Sequence, residues 1–143
     1  MSEETKALIQ RFVEEAFNKG NVDVADEVYS PTFVSHEPTG PEDRSPEYVK
    51  NFVNMYLSAF PDGRTTIENL VAEGDRVAYR WTYRGTHQGE LMDIPPTGRE
   101  VTISGITIDR ISGAKIEEEW NNFDQLGLLQ QLGVVPTPGA AGG

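Results

Sequence analysis

Hydrophobic patterns typical of helices occur in the first part of the chain and patterns typical of strands in the second. This order is the strongest constraint on the fold. Up to about residue 60 the apolar residues recur at helical spacing, and residues 65–123 consist mainly of long segments rich in β-forming residues. Helices followed by a run of strands are typical of the α+β class. The sequence therefore predicts a single domain over residues 1–133, in which a strongly curved antiparallel sheet wraps three N-terminal helices as a cone.

Caps, turns and periodicity predict the individual elements. The predicted helices cover residues 3–19, 21–29 and 46–59, and the last of these begins with a proline at its first position. The predicted strands cover residues 65–72, 76–87, 100–111 and 115–123, and a short C-terminal helix follows at 125–132. Residues 32–37 are expected to be extended, 38–44 to form a loop, and 134–143, rich in proline, glycine and alanine, to be a disordered tail.

The charge of the chain narrows the classes of partner. A net charge of −11, from 23 acidic and 12 basic residues, argues against nucleic acid and anionic membrane surfaces, because both attract lysine and arginine. The chain has no cysteine, no apolar run near the ~20 residues of a membrane span, and no signal-peptide pattern at its start. We therefore expect a cytoplasmic protein that binds neither nucleic acid nor membranes.

The last predicted strand combines acidic and amide side chains with a tryptophan. Because side chains alternate between the faces of a sheet, Glu119 and Asn121 share one face, and Glu118, Trp120 and Asn122 share the other. If the first face lines the cone, Glu119 is a candidate carboxylate base, and Asn121 a group that orients a carbonyl or a water. Burial in an apolar pocket would raise the pKa of Glu119 toward the working pH. The alternative is that the three consecutive glutamates form a solvated strand end.

Two histidines and an aspartate are further candidates, each with a structural alternative. His36 can change its charge near neutral pH, either in the pocket or as a loop residue bonded to backbone. His87, at the end of a long strand, is either a pocket-wall residue or a turn stabiliser. Asp124 is either a catalytic group or the cap of the last helix. No short metal-ligand spacing occurs, so no metal site is predicted.

Aromatic side chains can fill the cone as a core or line it as a wall for an apolar ligand, and the sequence leaves both open. The candidates for such a wall are Phe33, Phe52, Tyr56, Phe60, Trp81, Tyr83 and Trp120. Arg80 and Arg84 alternate with Trp81 and Tyr83, which places the two arginines on the outer face of the sheet.

Several motifs carry a family resemblance. In the second half of the chain they are residues 80–90 (Arg-Trp-Thr-Tyr-Arg-Gly-Thr-His-Gln-Gly-Glu), residues 94–99 (Ile-Pro-Pro-Thr-Gly-Arg), Trp120 with Phe123-Asp124, and residues 128–133 (Leu-Leu-Gln-Gln-Leu-Gly). Residues 12–15 (Phe-Val-Glu-Glu) and 18–21 (Asn-Lys-Gly-Asn) fit the same pattern. Over about residues 5–133, the chain resembles the SnoaL-like polyketide cyclases, also called predicted ester cyclases, of the NTF2-like superfamily.

The resemblance implies a fold, an activity and a partner. The NTF2-like fold is a cone of helices against a curved antiparallel sheet with a deep pocket inside. Characterised cyclases of this kind close the last ring of an aromatic polyketide by an intramolecular aldol reaction, without metal or cofactor. An aspartate on the last strand serves as general acid and base, while histidine and amide side chains hold the enolate. Such cones often pair through the outer face of the sheet, so the resemblance also implies a homodimer.

Three positions depart from the family pattern. Glu119, Trp120 and Asn121 stand where family members often carry His-Trp-Asp. Thr107, expected to contact the substrate from the facing strand, stands where a histidine is expected in the cyclases. Asparagine cannot exchange a proton as a carboxylate does, so the aldol mechanism does not transfer to this chain unchanged.

Three functions follow as alternatives. The first is an enzyme that performs acid–base chemistry, aldol cyclisation or isomerisation, on a hydrophobic carbonyl-bearing ring compound such as a polyketide. The second is a non-catalytic protein that binds a small molecule. The third is an epoxide hydrolase, which would need Arg80, Asp109 and Asp124 together in the pocket.

Overall fold

A computed structural model describes residues 2–37 and 40–136 of the chain. This part of the protein contains four α-helices and a curved sheet of six strands. The helices are α1 (Ser2–Phe12), α2 (Ala25–Val28), α3 (Pro46–Ala59) and α4 (Gln125–Gln131). The strands are β1 (Tyr29–Glu37), β2 (Gly40–Arg44), β3 (Arg64–Glu73), β4 (Arg76–Thr86), β5 (Glu100–Ser112) and β6 (Lys115–Phe123). A π-helix at Val13–Asn18 continues α1, and a 3₁₀ turn at Val22–Val24 precedes α2.

The order of strands places the last strand in the interior of the sheet. Across the sheet the strands run β2-β1-β6-β5-β4-β3. All neighbours are antiparallel except β1 and β6, which are parallel. The predicted meander is confirmed as β3 to β6, and α3 has the predicted bounds. Because β1 pairs with β6, the candidate residues on β6 are flanked by strands on both sides.

Three predictions for the first half need correction. The sheet is mixed rather than purely antiparallel, because the strand that follows α2 pairs in parallel with β6. The segment predicted as a loop over residues 38–44 contains β2, since backbone pairing with β1 outweighs the weak strand propensity of glycine and proline there. The predicted helix over residues 21–29 shortens to a 3₁₀ turn and one α-helical turn, because β1 already begins at Tyr29.

Two predicted regions fall partly outside the described residues. Residues 38 and 39 of the predicted loop are not among them, and neither are residues 137–143 of the predicted disordered tail. Residues 134–136 directly follow α4 and the turn after it.

Asn18 joins the helical layer to the sheet. Its Nδ2 donates to the backbone oxygen of Thr65 at 3.0 Å, and its Oδ1 accepts from the Thr65 backbone nitrogen at 2.8 Å. The amide therefore satisfies both backbone groups of a β3 residue, as a neighbouring strand would. This contact holds the end of the π-helix against β3, with Val13 and Phe17 facing the interior between helices and sheet.

The interior contains two clusters of buried hydrophobic side chains. One joins α1, α2 and the start of α3 to β1 and β4, and the other joins the end of α3 to β4, β5 and α4. Trp81 and Phe17 pack against both clusters. Within the described residues, no helix is long and apolar enough to cross a membrane.

Candidate active site

A cavity of about 110 Å³ lies between the two clusters, enclosed by the helices on one side and the inner face of the sheet on the other. Apolar and aromatic side chains form most of its wall. The helical side contributes Phe12, Val13, Phe17, Tyr48, Val49, Phe52, Val53 and Tyr56. The sheet contributes Tyr29, Ser35, Thr65, Tyr79, Trp81, Tyr83, Ile103, Thr107, Glu119, Asn121 and Phe123. A mostly apolar cavity with a few polar groups is the usual form of a small-molecule site.

Glu119 is the single Asp, Glu, Lys, Arg or His among these lining residues. It lies on the inner face of β6, where the Tyr29 hydroxyl donates a hydrogen bond to its Oε2 at 2.9 Å. Ser35 of β1 is paired with Glu119 in the strand register and also lines the cavity. Glu119 and Asn121 therefore share the inner face of β6, as the alternation predicted. The alternative of a solvated strand end does not apply to Glu119.

Asp109, which the sequence analysis considered only for the epoxide hydrolase alternative, lies next to Glu119. The two residues are paired across β5 and β6, and Asp109 is fully buried behind the cavity wall. Burial, the nearby charge of Glu119 and a hydrogen bond with Glu119 raise the pKa of Asp109 well above its ordinary value. The Tyr79 hydroxyl donates to Asp109 Oδ2 over 3.4 Å. The sequence signal that could have found it is strand parity, because Asp109 shares a face of β5 with Val101 and Ile103, and that face is buried in the structure.

A chain of hydrogen bonds orients Asn121. Trp81 Nε1 donates to Thr107 Oγ1 at 3.0 Å, and Thr107 Oγ1 donates to Asn121 Oδ1 at 2.9 Å. Since Oδ1 accepts from Thr107, the amide NH₂ is the part of Asn121 that can donate to a ligand oxygen. The threonine that replaces the expected histidine therefore positions a hydrogen-bond donor in the cavity wall.

Four of the five tyrosines that line the cavity are held in the neutral form. Burial raises the pKa of Tyr56 to about 12, and burial also raises the pKa of Tyr83. Burial, together with the charge of Glu119, raises the pKa of Tyr29 well above its ordinary value. Burial and the charge of Asp109 do the same for Tyr79. These phenols are therefore hydrogen-bond donors rather than proton carriers near neutral pH.

His36 and Trp120 lie on the outer face of the sheet, which corrects the expectation that they face the pocket. Their rings stack with centroids 4.7 Å apart, and the Arg76 guanidinium lies 5.1 Å from the centre of the Trp120 ring. His36 Nε2 is 2.6 Å from Glu118 Oε2, and Arg110 Nε donates to Glu118 Oε1 at 3.0 Å. Both contacts lower the pKa of Glu118. The reason is strand parity, since His36 and Trp120 are paired across β1 and β6 one position away from Ser35 and Glu119.

Three further candidates are buried in the core and do not line the cavity. Phe33 packs against Tyr29 with ring centroids 4.7 Å apart. Phe60 packs against Tyr83 at 5.7 Å and against His87 at 5.6 Å. His87 is fully buried, and its Nδ1 accepts from the Thr97 backbone nitrogen at 3.1 Å. His87 is therefore a turn stabiliser rather than a pocket-wall residue, and it anchors the segment between β4 and β5.

Asp124 and Arg80 also lie away from the cavity. Asp124 is exposed and caps α4, where its Oδ1 accepts from the Gly127 backbone nitrogen at 2.8 Å. Arg80 is exposed on the outer face and donates to Asn69 Oδ1 at 2.8 Å. The set of Arg80, Asp109 and Asp124 that an epoxide hydrolase would need is therefore not assembled, because two of the three residues lie outside. Residues 2–37 and 40–136 also contain no cluster of three His, Cys, Asp or Glu side chains suited to a metal ion.

Comparison with known proteins agrees with this architecture. The family model for SnoaL-like polyketide cyclases matches residues 7–132, which is most of the chain. The chain belongs to the SnoaL-like polyketide cyclase family. This SnoaL-like protein is 34% identical over 139 residues to the aklanonic acid methyl ester cyclase DnrD of Streptomyces peucetius, with 92% of each chain covered. It is 32% identical to the enzyme of the same name, DauD, of Streptomyces sp. strain C5, with 92% of this chain and 83% of DauD covered.

Solved structures show the same fold for the SnoaL-like protein. AclR of Streptomyces galilaeus, which carries the provisional name of a hydroxylase, superposes with a TM-score of 0.84 at 31% identity. The match covers 96% of this chain and 89% of AclR. The α+β architecture with a curved sheet is thus shared with relatives whose names differ in reaction, so the chemistry has to be argued from the cavity.

Proposed function

We propose that this protein is an acid–base enzyme that closes a ring in an aromatic polyketide ester by an intramolecular aldol reaction, with Glu119 as the base. The observation that carries the proposal is the position of Glu119, an ionisable side chain in an otherwise uncharged and largely apolar cavity wall. Membership of the cyclase family and the names of DnrD and DauD support a substrate related to aklanonic acid methyl ester.

The proposed reaction needs one proton carrier and one group that holds an oxygen. The Glu119 carboxylate takes a proton from the carbon beside a substrate carbonyl, and the resulting enolate carbon bonds to a second carbonyl carbon. The oxygen of that second carbonyl then takes the proton back from Glu119, so the product is an isomer of the substrate. The Asn121 amide, oriented by Thr107, donates to the enolate oxygen. Acid–base help of this kind contributes roughly 10²–10⁴ in rate.

The aromatic wall suits a flat ring system. Phe52, Tyr56, Trp81 and Tyr83 lie around the cavity, and aromatic faces stack favourably on other aromatic rings. Holding the two carbonyl-bearing parts of one substrate at reacting distance adds a further gain from positioning. The proposed steps use only side chains of this chain, in agreement with the cofactor-free chemistry that the family resemblance implies.

Turnover of aklanonic acid methyl ester tests the proposal. Incubation with the purified protein is expected to convert the ester to a product of unchanged mass and different retention, followed by liquid chromatography and mass spectrometry. Heat-denatured protein is the control for spontaneous cyclisation. Binding without any product would contradict the proposal and favour the alternative below.

The alternative is a non-catalytic binding protein, favoured by the amide at Asn121 where family members often carry an aspartate. In that case the cavity binds the ester without converting it, and the fluorescence of Trp81, which lines the cavity, changes on binding. Asn121→Asp would then be required to obtain product.

We also propose that two copies pair through the outer face of the sheet. Ile106 and Ile108 are 52% and 37% exposed there, and Ile108 is paired with Trp120 in the register. Burying this apolar row against the same row of a second copy is the self-complementary contact of a twofold dimer. The acidic Glu118 and the basic Arg80 on the same face allow pairing of opposite charges across that interface.

Replacing Ile106 and Ile108 together with glutamate is expected to convert a dimer into a monomer, because four carboxylates would face each other across the twofold axis. Size-exclusion chromatography with light scattering measures the change. Leu126→Glu is the matched control, since Leu126 is 56% exposed but lies on α4. A wild-type protein with the mass of one chain would contradict the dimer.

A further inference from the structure

Asp109 and Glu119 form a buried pair of acidic groups that the proposed reaction uses only in part. They are directly paired across β5 and β6, and their side chains form a hydrogen bond. Two carboxyl groups can form a hydrogen bond only if one of them carries a proton. Among the described residues, the buried Asp109 Oδ1 has no hydrogen-bond partner, so no donor stabilises a negative charge on that oxygen. One of the two carboxyl groups therefore carries a proton.

Among the described residues, no positively charged side chain faces the pair that could hold both groups ionised. The titratable groups that face it are the phenols of Tyr29 on β1 and Tyr79 on β4, and both stay neutral. The residues that α1, the π-helix and α3 direct into the cavity are uncharged. Arg110, the nearest arginine along β5, lies on the opposite face and bonds Glu118. Two adjacent carboxylates without a cation cannot both ionise near neutral pH.

The contacts of the two groups differ in a way that decides which one keeps the charge. Glu119 accepts a short hydrogen bond of 2.9 Å from Tyr29 and borders the cavity. Asp109 is fully buried, and its contact with the Tyr79 hydroxyl is long, at 3.4 Å. A carboxylate is stabilised by short hydrogen bonds from donors and by access to polar surroundings. The charge therefore belongs on Glu119 and the proton on Asp109.

We propose that Asp109 is a positioning residue, whose protonated carboxyl donates a hydrogen bond to Glu119 and leaves Glu119 as the one ionised carboxylate at the cavity wall. This inference rests on the proposed function of Glu119 as the base. Asp109 does not line the cavity, so it acts through Glu119 and not on the substrate.

The pair also accounts for how Glu119 exchanges a proton in both directions. When Glu119 takes a proton from a substrate carbon, the pair becomes fully neutral, which suits its buried surroundings. When Glu119 returns that proton to the product oxygen, the single negative charge is restored, while the proton on Asp109 stays in place throughout. With its buried acidic partner, Glu119 can thus act as a reversible base, a role that the amide of Asn121 cannot perform.

Carboxyl titration tests the proposal without any substrate. Carbon-13 NMR of the wild-type protein, labelled at aspartate and glutamate carboxyl carbons, is expected to retain one protonated carboxyl signal at about pH 7, far above the ordinary range of these groups. The signal is expected to vanish in Asp109→Asn and to persist in Glu119→Gln. Titration of every wild-type carboxyl to its ionised position by about pH 6 would overturn the proposal. The same holds for a signal that is lost in Glu119→Gln and kept in Asp109→Asn.

Kinetics of two Asp109 variants give a second test with aklanonic acid methyl ester. Asp109→Asn keeps a neutral but weaker donor beside Glu119, so most of kcat is expected to remain, while the acidic limb of the kcat/KM profile moves to higher pH, because the Glu119 carboxylate loses its stronger donor. Asp109→Leu removes the donor, and kcat is expected to fall about 10- to 100-fold with KM little changed, as for other lost orienting partners. A pH profile of Asp109→Asn that coincides with the wild type would overturn the proposal. Absence of turnover by the wild type itself would instead refute the proposed function, and the NMR titration would still decide the protonation of the pair.

Discussion

Replacing Glu119 with glutamine is expected to lower kcat for aklanonic acid methyl ester by about 10²–10⁴-fold, with KM nearly unchanged. The amide has the shape of the carboxylate and can still accept from the Tyr29 hydroxyl, but it cannot take a proton from carbon. Initial rates of product formation, measured at saturating ester, give kcat directly. A loss confined to kcat identifies an interaction made in the transition state.

Glu118→Gln is the matched control for this variant. Glu118 is the preceding residue of the same strand, and its side chain contacts His36 and Arg110 on the outer face. The same chemical change there should leave kcat near the wild-type value. Wild-type kcat in Glu119→Gln would remove Glu119 from the mechanism, and an equal loss in both variants would point to disturbance of the strand.

Replacing Phe60 with alanine is expected to lower the free energy of unfolding by about 3–5 kcal/mol. Phe60 is fully buried, and its ring packs against Tyr56 at 6.0 Å and Tyr83 at 5.7 Å. The substitution leaves a hole beneath two tyrosines of the cavity wall, where the surrounding core can collapse only in part. Urea unfolding followed by circular dichroism measures the loss.

Phe52→Ala is the comparison that separates core from cavity wall. Phe52 is half-buried and lines the cavity, so its replacement removes less packing but opens the site directly. We expect a smaller loss of stability than for Phe60→Ala and a larger increase in KM for the ester. The opposite ranking, with Phe52→Ala the less stable variant, would show that the ring of Phe52 belongs to the core.

The prediction for the last strand correctly grouped the residues that share a face, but it missed the acidic partner of Glu119. Alternation correctly placed Glu119 and Asn121 on one face and Glu118 and Trp120 on the other. It could not identify Asp109 as the partner of Glu119, because that contact depends on the register between β5 and β6. A pairing register is a long-range property that local propensity does not contain.

The errors for His36, Trp120, Phe33 and Phe60 have a common origin. Aromatic and histidine side chains are equally suited to a core, a cavity wall or an outer face, and their spacing distinguishes only which of them lie together. Their placement depends on where the chain packs next. The stack of His36 on Trp120 exists because β1 pairs in parallel with β6, which neither segment indicates on its own.

The sequence by itself determined the order of helices and strands, the bounds of the meander and of α3, and the sets of side chains that share a strand face. These properties follow from the periodic direction of side chains along helices and strands and from the residues that form turns. Both act over a few positions of the chain. Only the tertiary structure decided which face the helices cover, and therefore that Glu119 borders a cavity with Asp109 behind it. That choice depends on the docking of the helical layer and the insertion of β6 between β1 and β5, both of which join residues far apart in the chain.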